Sequence, residues 1–240
     1  MSEKKKLGII GGMGPKATVY MFDKIVEMTA AKSDRDHIEI FIHNNTMIPD
    51  RTMAILHKGK SPVPELVRSA KILQEMGADL LIIPCMTSHH FLNEIQSSVG
   101  IPIINAIAET AHYISENYSE VESVGILATS GTIKSGLFQR SLEYQDIVPL
   151  VLPDEDQDNF IMSTIYGEKG IKAGFITPQI TGQLKAACNR LIENGAGLII
   201  AGCTEIPLAL TQKDIPVPLI DVMWVLSTVA IQKCIETGAK

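Results

Sequence analysis

The sequence predicts an α/β protein of two pseudo-symmetric doubly wound domains, with mainly parallel sheets and a functional site in the cleft between them. Three observations predict it. Short apolar runs bounded by Gly or Pro alternate with longer helical stretches, the β-then-α order of parallel sheets covered by helices. One phrase occurs twice: residues 77–85 read GADLLIIPC and residues 195–203 read GAGLIIAGC. Other landmarks repeat at nearly the same spacing. Gly77 to Gly195 and Cys85 to Cys203 are both 118, Gly8 to Gly125 and Gly14 to Gly131 are both 117, and Pro102 to Pro218 is 116. An offset that long describes two domains rather than a solenoid.

The elements follow in order. Residues 6–10 read as a strand, Gly11-Gly12-Met13-Gly14-Pro15 as a turn, and 16–31 as a helix. Ile38, Ile40 and Ile42 alternate as in a strand over 37–43. A long polar connection over 44–62 holds Pro49, Asp50 and Arg51, with a helical turn expected at 51–57; long connections of this kind are often functional. A helix over 64–76 starts on Pro64, which suits a first turn. The first cysteine strand follows, with Gly77 placed to close the preceding helix. A helix over 86–98, a strand over 101–104 and a helix over 106–117 complete the first half. The second half is read as a strand over 121–128, a helix to 144, a strand over 147–152, a polar segment over 153–174 and a helix over 178–194. The second cysteine strand, a strand over 217–220 and an apolar helix over 222–237 end the chain.

Composition narrows the function classes. The 240 residues carry 21 basic and 27 acidic side chains, a net charge of −6 that gives no prior for a nucleic-acid partner. Lys4-Lys5-Lys6 reads as a solvated tail. Four cysteines lie far apart without CxxC spacing, as expected of a reduced cytoplasmic protein. No stretch approaches the roughly 20 apolar residues of a membrane span, and Leu7–Ile10 is too short for a signal h-region.

The two cysteines end their strands where open α/β sheets place a ligand crevice. Two acid/base groups on opposite sides of a bound atom suit inversion of a carbon centre. One takes a proton from one face, and the other delivers a proton to the opposite face. A thiolate and a thiol can fill these parts, and a helix starting after each cysteine would favour the thiolate. Thr204 and Glu205 read as caps for the turn after Cys203, and the hydroxyls of Thr87 and Thr204 as hydrogen-bonding partners for reacting atoms. The alternative is that such a cysteine is inert core material, the reading kept for Cys188 and Cys234.

Backbone N–H groups in Gly11–Gly14 and Ser130–Thr132 lie between a strand and a helix, where they can form an anion nest. Positive φ is the competing reason for the glycines. Residues 12–17 match the GxGxxA dinucleotide pattern, but the second strand ends in Asn44-Asn45 rather than an acidic ribose ligand. Arg51 and Lys172 lie in the polar connections of the two halves and suit carboxylate binding, or are ordinary surface residues. His89 and His90 lack the ligand spacing of a metal site and read as satisfied or capping side chains.

Together GGMGPKAT at 11–18, PCMTSHHF at 84–91 and AGCTEIPL at 201–208 resemble the aspartate/glutamate racemase family. The resemblance covers essentially the whole chain. It implies a cofactor-independent amino-acid racemase, commonly dimeric, whose C-terminal helix returns to the first domain. The domains would then be 1–115 with 220–240, and 116–219. By this resemblance Cys85 and Cys203 are the paired proton donor and acceptor. Met13, Thr87, Gly131, Thr132 and Thr204 line the substrate pocket, and Arg51 and Lys172 bind substrate carboxylates. Met86 departs from the family, which usually has Asn there. The change removes a hydrogen-bonding side chain and admits glutamate, another amino acid or broad specificity beside aspartate. The expected partner is therefore a small acidic amino acid, with no metal, nucleic acid or membrane. Other expectations to set against it are hydantoin racemisation, maleate isomerisation and arylmalonate decarboxylation on the same scaffold, a non-catalytic amino-acid-binding module, and a nicotinamide enzyme.

Overall fold

The computed structural model describes residues 4–235, which divide into two compact units. One comprises residues 4–109 with 223–235, the other residues 110–222.

The first unit contains β1 (Leu7–Gly11), α1 (Pro15–Met28), β2 (Ile40–Asn44), α2 (Arg51–Ile55), α3 (Val63–Glu75), β3 (Leu80–Ile82), a 3-10 turn (Met86–Phe91) and α4 (Leu92–Gln96). Its sheet has the order β2-β1-β3 and is parallel throughout, with Leu7 opposite both Ile40 and Leu80. All five residues of β1 are buried, as a central strand covered on both faces requires. Because β2 and β3 leave β1 on opposite sides, the turn after β1 lies at a switch point, the position where open α/β sheets generally bind their ligands.

The boundary between the units falls within α5 (Ala106–Asn117). The second unit continues with β4 (Ser123–Leu127), α6 (Ser130–Ser135), α7 (Leu137–Glu143), β5 (Val148–Leu150), α8 (Asp154–Asp156), α9 (Ser163–Tyr166), α10 (Pro178–Glu193), β6 (Leu198–Ala201) and β7 (Leu219–Asp221). Its parallel sheet runs β5-β4-β6-β7, so β4 is the counterpart of β1 and β6 that of β3. The last helix, α11 (Val222–Ile235), carries the chain back to the first unit. There the Ser227 hydroxyl donates to Met21 Sδ at 3.3 Å, and Lys5 N–H donates to the Cys234 carbonyl at 3.0 Å. The expected helical residues 236 and 237 lie outside the described residues.

The repeat extends to side-chain packing. A Cβ on Gly8 would come within 2.4 Å of Leu81 Cδ2 and 3.2 Å of Leu73 Cβ. A Cβ on Gly125 would come within 2.5 Å of Ile199 Cδ1 and 3.0 Å of Leu191 Cβ. Gly8 pairs with Leu81 and Gly125 with Ile199 in the sheets, while Leu73 and Leu191 lie on α3 and α10. In each unit a central-strand glycine thus lets a covering helix approach the sheet at the same place, and both leucines are fully buried.

Several expectations change. The strand over 101–104 reduces to one parallel bridge, Leu81 to Ile103. Pro102 has no N–H to offer and only its carbonyl joins the ladder, accepting from Leu81 N–H at 2.8 Å. Residues 37–39 stay out of β2 because His37 closes a 3-10 turn over Asp34–Asp36. The helix over 86–98 begins as the 3-10 turn and becomes α-helical at Leu92. That over 130–144 breaks at Gly136, whose φ is +66°. The polar segment 153–174 is largely helical, with a π-helical turn over Gln157–Met162 between α8 and α9. Ile161 and Ile165, four apart, give it a buried face, and both are 0 % exposed. The lysines at 4–6 are not a loose tail: Lys4 Nζ donates to the Asp36 carbonyl, and Lys6 N–H donates to Asp79 Oδ2 at 2.7 Å. No helix among the described residues is long and apolar enough to cross a membrane.

Candidate active site

In the first unit, β3 leads through Ile83 and Pro84 to Cys85. The cysteine is buried and shares an apolar cluster with Ile10, Met13, Ile83 and Phe91. Its carbonyl accepts Ser88 N–H at 3.1 Å, which turns the chain into the 3-10 segment carrying Met86 and Thr87, both buried. His89 holds this turn. Its Nε2 accepts Ala106 N–H at 3.2 Å at the start of α5, so the ring proton resides on Nδ1, which donates to the Cys85 carbonyl at 3.1 Å. Burial pushes the imidazole down to about 4, so it is neutral across the physiological range. Among the described residues no group of His, Cys, Asp and Glu could hold a metal ion. With both ring nitrogens hydrogen-bonded, His89 is a satisfied side chain.

The Gly-rich turn brings Met13 beside the same segment, where Ser88 Oγ donates to Met13 Sδ at 3.1 Å. Gly12 has φ +98°, and a Cβ there would sit 2.3 Å from the Asn45 carbonyl oxygen. Its N–H donates to Thr18 Oγ1 at 2.9 Å, so this part of the expected nest is already occupied. Asn45 fills the position where a dinucleotide fold would need an acid, and its side chain donates to Glu65 at 2.9 Å and Ser69 at 3.1 Å. Asp50 caps α2 by accepting Met53 N–H at 2.7 Å, which fixes Arg51 at the first position of the helix. The Arg51 side chain is buried, not on the surface, and donates to the carbonyls of Met13 at 3.3 Å and Pro49 at 3.2 Å. The structure thus brings Met13, Arg51, Met86, Thr87 and Cys85 into one unit, with Met13 contacting both the Cys85 turn and Arg51. Next to Arg51, the buried Thr52 hydroxyl has no hydrogen-bond partner among the described residues. The sequence reading missed it; its place after Arg51 in the polar connection was the available signal.

The second unit builds a different environment. After β4, Thr129 caps α6 and its hydroxyl lies 3.1 Å from that of Thr132. Gly131 and Thr132 are buried in this first turn. Ser130 N–H donates to Met162 Sδ at 3.3 Å, and Gln157 Nε2 donates to the Ala128 carbonyl at 2.8 Å, so the helical segment after β5 braces the turn. After β6, Gly202 leads to Cys203, Thr204 and Glu205, all buried. Cys203 Sγ and Thr204 Oγ1 each donate to Glu205 Oε2 at 3.0 Å, and Lys172 Nζ forms an ion pair with Glu205 Oε1. The same ammonium lies 5.6 Å from the centroid of the Tyr166 ring.

Two expectations are corrected here. Glu205 stands at the N-cap position of the short 3-10 turn Ile206–Leu208, but its side chain makes no cap hydrogen bond. The carboxylate turns back on Cys203, Thr204 and Lys172 instead. Nor does the following turn favour a Cys203 thiolate. Burial first, and then the charge of Glu205, push this thiol well above its ordinary value, against a weaker opposing pull from Lys172. Burial also works against ionising Glu205, but Lys172 and the hydrogen bonds from Cys203, Lys172 and Thr204 hold its carboxyl below the usual range. Glu205 is the second residue whose part sequence reasoning missed. It follows the Cys-Thr pair directly, but its ion-pair partner is 33 residues away. Cys188 and Cys234 are buried helix residues, with thiols pushed up to about 12 and about 11, chiefly by burial.

Each unit thus carries a buried thiol just beyond a buried parallel strand, a basic side chain from a polar connection and a cluster of hydroxyls. That is equipment for binding an anion and moving a proton. Residues 10–230 match the family model described as Asp/Glu/Hydantoin racemase. A broad-specificity amino-acid racemase of Bacillus subtilis is 26% identical over 223 residues, covering 90% of this chain and 92% of that protein. The structure of an aspartate racemase from Picrophilus torridus superposes with a TM-score of 0.82 at 30% identity, covering 95% of this chain and 93% of that one. An aspartate racemase homologue from Pyrococcus horikoshii shares the fold, with a TM-score of 0.76 at 24% identity over 97% of this chain and 100% of that one.

Proposed function

The chain belongs to the Asp/Glu/hydantoin racemase family, and from that premise we propose that it inverts the α-carbon of an acidic amino acid without a cofactor. The observation that carries the reading is the placement of Cys85 and Cys203 at equivalent positions beyond β3 and β6 of two similarly built units. In the proposed reaction one cysteine acts as thiolate and takes the α-proton, becoming a thiol. The other, starting as thiol, gives its proton to the opposite face of the carbanion and becomes the thiolate. Arg51 and Lys172 bind the substrate carboxylates and stabilise the charge that develops as the proton leaves. Met13, Thr87, Gly131, Thr132 and Thr204 line the pocket in this reading, and the enzyme works as a cytoplasmic homodimer, which sedimentation of the purified protein would test.

A second reading, broad specificity, is favoured by Met86. This side chain is buried beside Cys85 and offers no hydrogen-bond donor to a polar substrate group, and the Bacillus subtilis relative is itself described as broad in specificity. The test is a chiral assay of L- and D-Asp, L- and D-Glu and several neutral amino acids with no cofactor added. Asp or Glu turning over fastest supports the acidic reading. Neutral amino acids turning over equally fast supports the second. In D₂O the newly formed enantiomer should carry deuterium at Cα from the first turnovers; retained protium would sink the two-base scheme. Cys85→Ala and Cys203→Ala should each abolish racemisation of both enantiomers.

A further inference from the structure

We infer that Glu205 is the residue that governs the proton on Cys203, holding this cysteine as the resting thiol, and more firmly still when Lys172 turns to a substrate carboxylate. The inference rests on the racemase reading for its catalytic meaning, but its geometry lies wholly within the second unit.

A carboxylate this deeply buried needs a reason, because desolvating it costs several kcal/mol unless partners compensate. Glu205 is 5% exposed, and its partners leave neither oxygen idle. Oε1 faces the Lys172 ammonium, while Oε2 accepts from Cys203 Sγ and Thr204 Oγ1, each at 3.0 Å. None of these bonds serves the backbone. The turn that follows closes without it, through Ile206 N–H to the Cys203 carbonyl at 3.0 Å and Leu208 N–H to the Glu205 carbonyl at 3.2 Å. The carboxylate is thus spent on a thiol, a hydroxyl and an ammonium, the three groups that the proposed chemistry would use.

The direction of the effect follows from charge. A thiolate at Cys203 would place a second negative charge 3.0 Å from Glu205, whereas the thiol donates a hydrogen bond to it. The charged groups acting on this sulfur are Glu205 and Lys172, which oppose one another. Glu205 also competes for Lys172. When a substrate carboxylate draws the ammonium away, Glu205 loses its counter-charge and becomes a stronger acceptor for the thiol proton. Substrate binding and the protonation state of Cys203 are coupled through one shared cation. The step balances: the Cys203 S–H bond breaks as a C–H bond forms at the carbanion, leaving a thiolate, and the reverse reaction returns the proton to sulfur.

The test reads Cys203 directly. Iodoacetamide alkylation of the full-length protein is followed from pH 6 to pH 10 by mass spectrometry of the Cys203 peptide. The Cys85 peptide serves as reference, and the Cys188 peptide reports unfolding. Glu205→Gln should lower the pH midpoint for Cys203 and raise its alkylation rate at pH 7.5 by about tenfold or more, the effect of removing one adjacent charge. Lys172→Met should move the midpoint the opposite way. A packing role alone would not give shifts of opposite sign. An unmoved Cys203 midpoint in folded Glu205→Gln overturns the inference. Should that variant label at Cys188 and so prove unfolded, Lys172→Met decides: an upward midpoint supports the inference, and an unchanged one overturns it. Midpoints that move in a protein that racemises no amino acid would leave the proton assignment standing and remove the racemase reading. Unmoved midpoints beside full racemisation would do the reverse.

Discussion

Lowering the pH should weaken the protein through His89 by a predictable amount. The imidazole is 4% exposed and joins the Cys85 turn to the start of α5 with one donated and one accepted hydrogen bond. Its pKa falls from 6.5 to about 4, chiefly because burial penalises the charged form. A group depressed in the folded state contributes stability that is complete above its unfolded value. That contribution drains away as pH falls from 6.5 toward 4, because the unfolded chain takes up the proton first. Between pH 7.5 and pH 5 the loss from this one residue is about 2 kcal/mol. The variant His89→Gln cannot titrate. At pH 7.5 it should be less stable than wild type by about 1–3 kcal/mol, the cost of two disturbed buried hydrogen bonds. At pH 5 the gap should narrow by about 2 kcal/mol or reverse. Urea unfolding followed by circular dichroism at the two pH values measures both gaps. A gap equal at pH 7.5 and pH 5 would refute the claim that the folded protein holds this ring neutral.

Three further outcomes follow from packing and charge. Gly12→Ala places a Cβ 2.3 Å from the Asn45 carbonyl oxygen at a φ of +98°; it should cost more than about 2 kcal/mol, and an unchanged melting temperature would count against this turn. Phe138→Ala removes a ring that is 0% exposed and that an added Cβ on Gly202 would approach to 3.0 Å. The expected loss is about 3–5 kcal/mol, read by urea titration, and Cys203 should label faster in the variant as its support loosens. Cys188, with its thiol pushed up to about 12 by burial and by Asp214, should stay unmodified by iodoacetamide at pH 8 in the folded protein; labelling at the rate of a free thiol would contradict its place in the core.

How much of this was legible in the sequence depended on how local each cause was. Buried parallel strands are apolar runs by necessity, so β1, β3, β4 and β6 stood out, and the glycines after α3 and α10 have the positive φ, +95° and +99°, that their place in the repeated phrase suggested. The helical character of residues 153–174 was harder to see because charged side chains surround the two inward isoleucines. The bridge at Ile103 needed the chemistry of Pro102 to be weighed against the appeal of four apolar residues. At the site, Cys85 and Cys203 announced themselves by repetition, whereas their surroundings did not. Lys172 meets Glu205 only after the segment between β5 and α10 has folded over β6, a long-range event that no spacing encodes. The protonation of Cys203 was misjudged for the same reason, since the turn was visible in the chain and the burial was not.

The paired notches at Gly8 and Gly125 constrain any attempt to exchange parts between the two halves. Each notch is a three-body fit among a central strand, its neighbour and the helix that covers both, involving Leu81 and Leu73 in one case and Ile199 and Leu191 in the other. Transplanting one strand alone would set a Leu-shaped recess against an Ile-shaped plug, or the converse. A functional chimera would therefore have to move strand, neighbour and helix as a block, and the smallest such cassette in either half already contains the lead-in to its cysteine.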